Sequence, residues 1–295
     1  MPKAPPRASR PTHVTETSRR RPPTMPDANA GTPSTAGEVG SYAGDPNFMA
    51  SLARGLAVIR GFSQQRTRMS IAQLSLRSGI PRAAVRRVLY TLSKLGYAGS
   101  EDGRTYLLRP QVLALGYAYL SSTPLATSAQ PILDQVSQTL HESCSMAVLD
   151  GDDIMYVARS SSSRRIMSID LGIGSRLPAY CTSMGRVLLA HQSPAELAAY
   201  FRRVKPLPHT PRTELSRDKL VAILEAARAS GYAIVDQELE IGLRSIAVPV
   251  VDPGGRVAAA LNVSTQAARV TVIEMEKKFR PPLEAAARDL GMLLG

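Results

Sequence analysis

"MSIAQLSLRSGIPRAAVRRVLYTLSKLGY", residues 69 to 97, decides the fold of the N-terminal part of the chain. Ser70 stands where a helix N-cap belongs, its hydroxyl able to accept an amide hydrogen of the first turn, and Ile71 and Leu74 come next at helical spacing. Gly79 supplies the left-handed residue that ends such a helix. Pro81 suits the first turn of the next helix, and Val85, Val88, Leu89, Leu92 and Leu95 form its apolar stripe. Upstream, "FMASLARGLAVIRGFS" repeats Phe48, Leu52, Leu56 and Ile59 at helical spacing, with Gly61 as its stop. Three helices with a tight glycine-containing turn between the last two predict a helix-turn-helix.

The residues on either side of this stretch give it a task. In "YAGSEDGRTYLL" two β-prone runs flank Asp102-Gly103, which predicts a tight hairpin and hence a wing. The outward positions of the last helix are Arg82, Ala83, Arg86 and Arg87, and Arg104 lies on the wing, so guanidiniums are available for phosphates or guanine edges. The charge agrees. The chain holds 36 basic and 24 acidic residues, yet residues 46–110 carry 11 basic and 2 acidic while residues 111–295 are balanced at 19 and 18. A soluble bundle with a merely solvated basic face is the plain alternative; helix order, turn glycine, wing and charge together favour double-stranded DNA.

The remainder divides by composition. Residues 1–45, rich in Pro, Ser, Thr, Gly and Arg, cannot bury enough surface to order themselves and are expected to be a disordered tail, with Met25 or Met49 as alternative starts. Residues 46–108 are expected to be the winged helix-turn-helix domain and 109–123, with "RPQVLALGYAYLSS", a linker helix broken by "STPL". Residues 124–295 alternate helical and extended patterns, with hairpins at Asp150 to Asp153 and Asp252 to Gly255. That predicts an α+β domain on an antiparallel sheet. No apolar run approaches the roughly 18 to 20 residues needed to span a bilayer. The N-terminus has no secretory apolar run, and Cys144 and Cys181 form neither a disulfide framework nor a metal spacing, so a cytoplasmic protein without metal or cofactor is expected.

One stretch in this domain invites a chemical reading. "LPAYCTSMGRVLLA", residues 177–190, crowds Cys181, Thr182, Ser183 and Gly185 where an extended run becomes a helix. As a nucleophile elbow it lacks the first glycine, and His141, His191 and His209 have no evident Asp or Asn orienter, so a hydrolase-like site on Cys181 or Ser183 is the weaker alternative. Capping by Thr182 or Ser183 is the simple reading, and the free amides of a helix start also suit a carboxylate. Asp236, Glu238 and Glu240 alternate along what reads as one extended run, either a pocket wall or a solvated edge.

The winged helix-turn-helix, the linker helix, "AYCTSMGRVLLA", "GLRSIAVPV" and "LNVS" together resemble the IclR family of bacterial transcription regulators over residues 46–295. "SLARGLAVIRGF", "RRIMSIDLGIGSRLPAYCTSMGRVLLA" and "ELEIGLRSIAVPV" are similar to its branch that senses protocatechuate, 4-hydroxybenzoate or β-ketoadipate. The resemblance implies a homodimer, often assembled to a tetramer, and a GAF-like effector domain controlling genes of aromatic compound catabolism. It implies that effector contacts come from Ser183 and Met184 through their amides, from Leu243 and Ser245 across the pocket, and from Asp236. An arginine clamp on the acid is also expected, with Arg159, Arg176 and Arg244 as candidates. "IPRAAVRRV" departs from the Ser/Thr-rich helix start common in the family, so operator preference does not carry over.

Overall fold

The structure, a computed structural model, describes residues 40–63, 66–160 and 171–294, with backbone alone at 124–127. The expected tail lies outside the described residues over 1–39, as does the "RRIMSID" segment. The N-terminal part is α1 (Ala50–Arg60), β1 (Met69–Ser70), α2 (Ile71–Ser78), α3 (Arg82–Lys94), β2 (Ala98–Gly99) and β3 (Thr105–Leu108). Ser70 caps α2 in a reciprocal box: its Oγ accepts from the Gln73 amide at 3.3 Å, and the Gln73 side chain accepts from the Ser70 amide at 2.8 Å. Gly79 ends the helix at φ 69°, where a Cβ would be strained. Val58, Leu74, Val85 and Leu89 are fully enclosed in the core these helices share.

Three local expectations change. In α1 the inward residues are Ala57 and Val58, whereas Leu52 and Leu56 are 59% and 46% exposed. The helix is apolar on more than one side, and its smaller residues permit the closer approach to α2 and α3. Leu95, expected in the α3 stripe, is also exposed. The wing is not a tight two-residue hairpin: Gly99 pairs with Leu107, and the start of β3 is drawn onto β1, with Met69 opposite Tyr106. The longer loop is organised by Asp102, whose carboxylate accepts from the amides of Arg104 (2.8 Å) and Thr105 (2.7 Å) and from the Thr105 hydroxyl (2.8 Å).

A 3-10 turn (Pro110–Val112) leads into the linker helix α4 (Leu113–Ser122). Extended Thr123 separates it from α5 (Pro124–Leu140), the break expected at "STPL". No residue of α4 is buried, although Leu113, Leu115, Tyr117 and Tyr119 are large and apolar.

Beyond α5, a six-stranded sheet is built from β4 (Ser143–Asp150), β5 (Asp153–Ser160), β6 (Arg176–Pro178), β7 (Ala233–Asp236), β8 (Leu243–Val251) and β9 (Val257–Gln266). Its order is β6-β5-β4-β9-β8-β7, and every pairing is antiparallel. One face packs on α6 (Ser183–Ala190), α7 (Pro194–Arg203) and α8 (Arg217–Ser230) through residues such as Tyr156, Leu188 and Ala247. The other packs on α5, α9 (Val272–Glu274), the π turn Met275–Phe279 and α10 (Arg280–Met292) through Leu133, Ile246 and Leu283. Burial on both faces is why β8 and β9 read as nearly unbroken apolar runs. The run carrying Asp236, Glu238 and Glu240 is not one extended face: β7 stops at Asp236, and Gln237 turns the chain at φ 62°.

Candidate functional site

The helix start singled out in the sequence lies at the centre of the sheet face that α6, α7 and α8 cover. All eight residues of α6 are buried. Thr182 caps it by accepting from the Gly185 amide at 3.2 Å, and its own hydroxyl donates to Pro178 O at 3.0 Å. Ser183 and Met184 therefore hold the first two helical positions, where amides have no preceding carbonyl of their own helix. Gly185 permits the approach that places them there: a Cβ would lie 2.2 Å from Ala179 O and 2.4 Å from Ala179 Cα.

These residues border a small, partly open cavity of about 20 Å³, room for little more than a water molecule. Tyr156, Leu177, Cys181, Met184, Val235, Leu239 and Leu243 give it apolar walls; Thr182, Ser183, Ser245, Asn262 and Ser264 give it polar ones. None of these side chains is ionised at neutral pH. Four sequence-predicted contacts, Ser183, Met184, Leu243 and Ser245, are thus brought together. Two polar atoms here have no partner among the described residues: Ser183 Oγ and Asn262 Oδ1, on side chains that are 1% and 4% exposed. An unpaired buried oxygen costs about 1–3 kcal/mol, so an occupant that supplies hydrogens is energetically favoured. Asn262 and Ser264 escaped sequence reading, yet the alternation that puts Leu243 and Ser245 inward in β8 does the same for them in β9.

Strand register also separates the three candidate arginines. Arg244 lies between inward Leu243 and Ser245 and so faces the opposite side, paired with Asp236 at 2.7 Å. It also donates to the carbonyls of Ala267 and Val270. Asp236, held by Arg244 and by Arg212 at 3.1 Å, is turned away from the cavity with it. Arg176 pairs with Asp150 and, at 3.3 Å, with Asp153, fixing the β4–β5 hairpin tip. Burial nonetheless raises the carboxyl of Asp153 above its ordinary value, outweighing the pull of Arg176. Arg159 differs. It pairs with Ser145, which in turn pairs with cavity-lining Asn262, and cross-strand partners share a face. A fourth arginine, Arg186, is buried inside α6 and bonded to Glu238 at 2.7 Å, a placement that sequence reading missed.

The nucleophile alternative finds no support in this geometry. Burial pushes the Cys181 thiol up to about 12, which keeps it neutral. No base is bonded to Ser183 Oγ among the described residues. His209 is engaged elsewhere, 2.9 Å from the Tyr180 hydroxyl, and burial lowers its basicity. No group of His, Cys, Asp and Glu that could hold a metal occurs among the described residues.

A second surface lies on α3. Arg82, Ala83, Arg86 and Arg87 are all exposed, and Arg104 is exposed on the wing. The inward residues of the same helix, Val85, Leu89 and Leu92, fix which side faces out. Cations on one helix face beside a wing are chemically suited to phosphates and to the acceptor edges of bases in a groove. No described helix is long and apolar enough to cross a membrane.

Known proteins share both parts. The chain matches a family model described as the IclR helix-turn-helix domain over residues 51–102 and one described as the bacterial transcriptional regulator IclR C-terminal domain over residues 117–292. It is 57% identical to the Pca regulon regulatory protein of Pseudomonas putida over 257 residues, 87% of this chain and 88% of that one. It is 33% identical to the p-hydroxybenzoate hydroxylase transcriptional activator of Acinetobacter baylyi over 252 residues, 84% and 93% of the two chains. A solved inducer-binding domain of the PobR transcription factor from Acinetobacter, a double mutant in complex with 3-hydroxybenzoic acid, superimposes with a TM-score of 0.55. It is 30% identical and covers 57% of this chain and 98% of that one.

Proposed function

The chain belongs to the IclR family of bacterial transcriptional regulators, and from that premise we propose that its effector, an aromatic or dicarboxylic acid, occupies the cavity at the start of α6. The protein is a DNA-binding regulator of the type that controls aromatic-acid catabolism. Residues 46–108 form the operator-binding unit, 109–123 the linker and 124–295 the effector unit. Arg82, Ala83, Arg86 and Arg87 meet the duplex from α3 and Arg104 from the wing.

The observation that carries the effector reading is the pair of orphaned oxygens, Ser183 Oγ and Asn262 Oδ1, on the walls of one small cavity. The amides of Ser183 and Met184 suit a carboxylate, and Arg159 is the arginine whose register supports a role as clamp. Arg176, Arg244 and Asp236 are assigned no effector contact. The named relatives, a Pca regulon regulator, a p-hydroxybenzoate hydroxylase activator and a domain bound to 3-hydroxybenzoic acid, support an acid of the hydroxybenzoate class, and protocatechuate, 4-hydroxybenzoate and β-ketoadipate are the candidates. Effector occupancy biases two arrangements of a homodimer working in the cytoplasm, and so its DNA affinity; no covalent chemistry is needed. The exposed apolar residues of α4, with Leu52 and Leu56 of α1, support a second copy of the chain as their cover.

A thermal-shift panel with those three acids tests the reading. The cognate acid at about 100 times its dissociation constant should stabilise the protein by roughly 2.7 kcal/mol and change its affinity for its own upstream DNA. No stabilisation by any of the three, or equal affinity for upstream and random DNA at moderate salt, would reject it.

A further inference from the structure

We propose that the buried ion pair between Arg186 and Glu238 is a positioning device that holds the 237–242 segment closed over the effector cavity. This rests on the effector reading above. Arg186 lies one turn beyond Ser183 and is 2% exposed. Its Nε donates to Tyr180 O at 2.9 Å, and its Nη2 donates to Glu238 Oε2 at 2.7 Å. The same carboxylate oxygen accepts from the Glu214 amide at 3.0 Å. Thr213 Oγ1 donates to Glu238 O at 2.6 Å, and Thr210 Oγ1 to Gln237 O at 2.8 Å. Residues 237 and 238 are thereby tied to α6 on one side and to the 210–214 loop on the other. The next residue, Leu239, is 4% exposed and lines the cavity.

The other described walls are strands of the sheet, α6 and the buried turn before it, none of which can yield without opening the core. The 237–242 segment can. It leaves β7 through Gln237 at φ 62°, rejoins β8 through Gly242 at φ 87°, and exposes Ile241 to solvent. An effector the size of an aromatic acid cannot enter a cavity of about 20 Å³ without displacing a wall, and this wall is latched to the helix whose amides the effector uses. Two apolar residues of similar volume would fill the space of Arg186 and Glu238 at comparable or better stability, so the pair's distinctive contribution is orientation.

Glu238→Gln is nearly isosteric and keeps an acceptor for the Glu214 amide while removing the charge. With whichever of the three acids most stabilises the wild type as probe, Glu238→Gln should release it about tenfold faster. Operator affinity of the ligand-free variant should stay within about twofold of wild type. Arg186→Lys, which keeps the charge, should restore slower release than Arg186→Met. The apolar pair Arg186→Met with Glu238→Leu should recover thermal stability without recovering slow release. Wild-type release rates in Glu238→Gln, or slow release recovered by the apolar pair, would overturn the proposal and leave a purely structural ion pair. If none of the acids stabilises the wild type, the effector reading itself fails, and this inference with it.

Discussion

Ser183 and Asn262 face one cavity from opposite walls, the first from the start of α6 and the second from the middle of β9, and each buries a side-chain oxygen without a partner among the described residues. Such an arrangement makes the ligand-free protein less stable than it could be and reserves that energy for an occupant. Ser183→Ala should therefore leave the ligand-free melting temperature unchanged or slightly raised, because it removes an unsatisfied hydroxyl. Effector affinity should fall about tenfold, the worth of one hydrogen bond to a charged group. Isothermal titration and thermal unfolding of the same preparation decide it; a destabilised protein with unchanged affinity would contradict the assignment.

Gly185 tests why the cavity has the shape it has. A methyl group there would meet backbone atoms of Ala179, which cannot move aside as a flexible side chain would. Gly185→Ala should cost about 3 kcal/mol, the upper part of the range for overpacking, or prevent folding. Gly172→Ala, where a Cβ meets nothing within 4 Å, is the control and should be nearly silent. Urea denaturation of the two variants separates close packing at Gly185 from a general intolerance of this region.

How much of the fold and the site is legible in the sequence depends on whether a feature is local. The Ser70 cap, the Gly79 stop, the break at Thr123 and the start of α6 each depend on a few consecutive residues, and each stands where the sequence puts it. Leu243 and Ser245 were named by the family resemblance, and their shared place on the cavity wall follows from the period of a strand. Choosing among Arg159, Arg176 and Arg244 required the register of β4, β5, β8 and β9, which pairs residues far apart in the chain. Arg186 was illegible for another reason: an arginine next to an apolar helical run reads as solvated, and its burial depends on a glutamate 52 residues away. The exposed Leu52 and Leu56 are the reverse case, since a helix apolar on several sides does not declare which side its own core takes.

The wing provides a pH prediction. Hydrogen bonds from Thr105 and Arg104 hold the Asp102 carboxyl far below the usual carboxylate range. A depressed folded value means its contribution is fully present above the unfolded value of about 3.9 and fades as pH falls below it toward the folded value. Wing amides of Arg104 and Thr105 should keep their hydrogen-exchange protection at mildly acidic pH and lose it only in stronger acid. Asp102→Asn should lower that protection at neutral pH and weaken operator binding, while α2 and α3 stay protected. Equal protection in both proteins would show that the turn holds without the carboxylate.

On α3 the distinction to draw is between cations that neutralise phosphates and those that read bases. Arg82, Arg86 and Arg87 all point outward from α3, and no ion pair engages them among the described residues. A phosphate-contacting arginine replaced by alanine should weaken operator and random DNA alike and reduce the salt slope by about 1. A base-reading arginine should instead cost about 1–3 kcal/mol on the operator and much less on random DNA. Fluorescence anisotropy of the three single variants across a salt series sorts them. If none changes either quantity, α3 is not the DNA-facing helix.

Helix α4 is the last exposed feature that a single chain leaves unexplained. Leu113 is 75% and Tyr117 70% exposed, in a helix with no buried residue of its own. Because these side chains are largely exposed and belong to no buried core among the described residues, Leu113→Asp with Tyr117→Asp should leave the secondary structure and the unfolding of the effector unit intact. If a second copy covers α4, the same change desolvates two carboxylates at the interface, a cost of several kcal/mol per ion. The double variant should then sediment as a monomer where the wild type is a dimer. Operator affinity should drop steeply, since two half-sites are no longer bound together. A variant that stays dimeric with wild-type operator affinity would show that the chains pair through another surface.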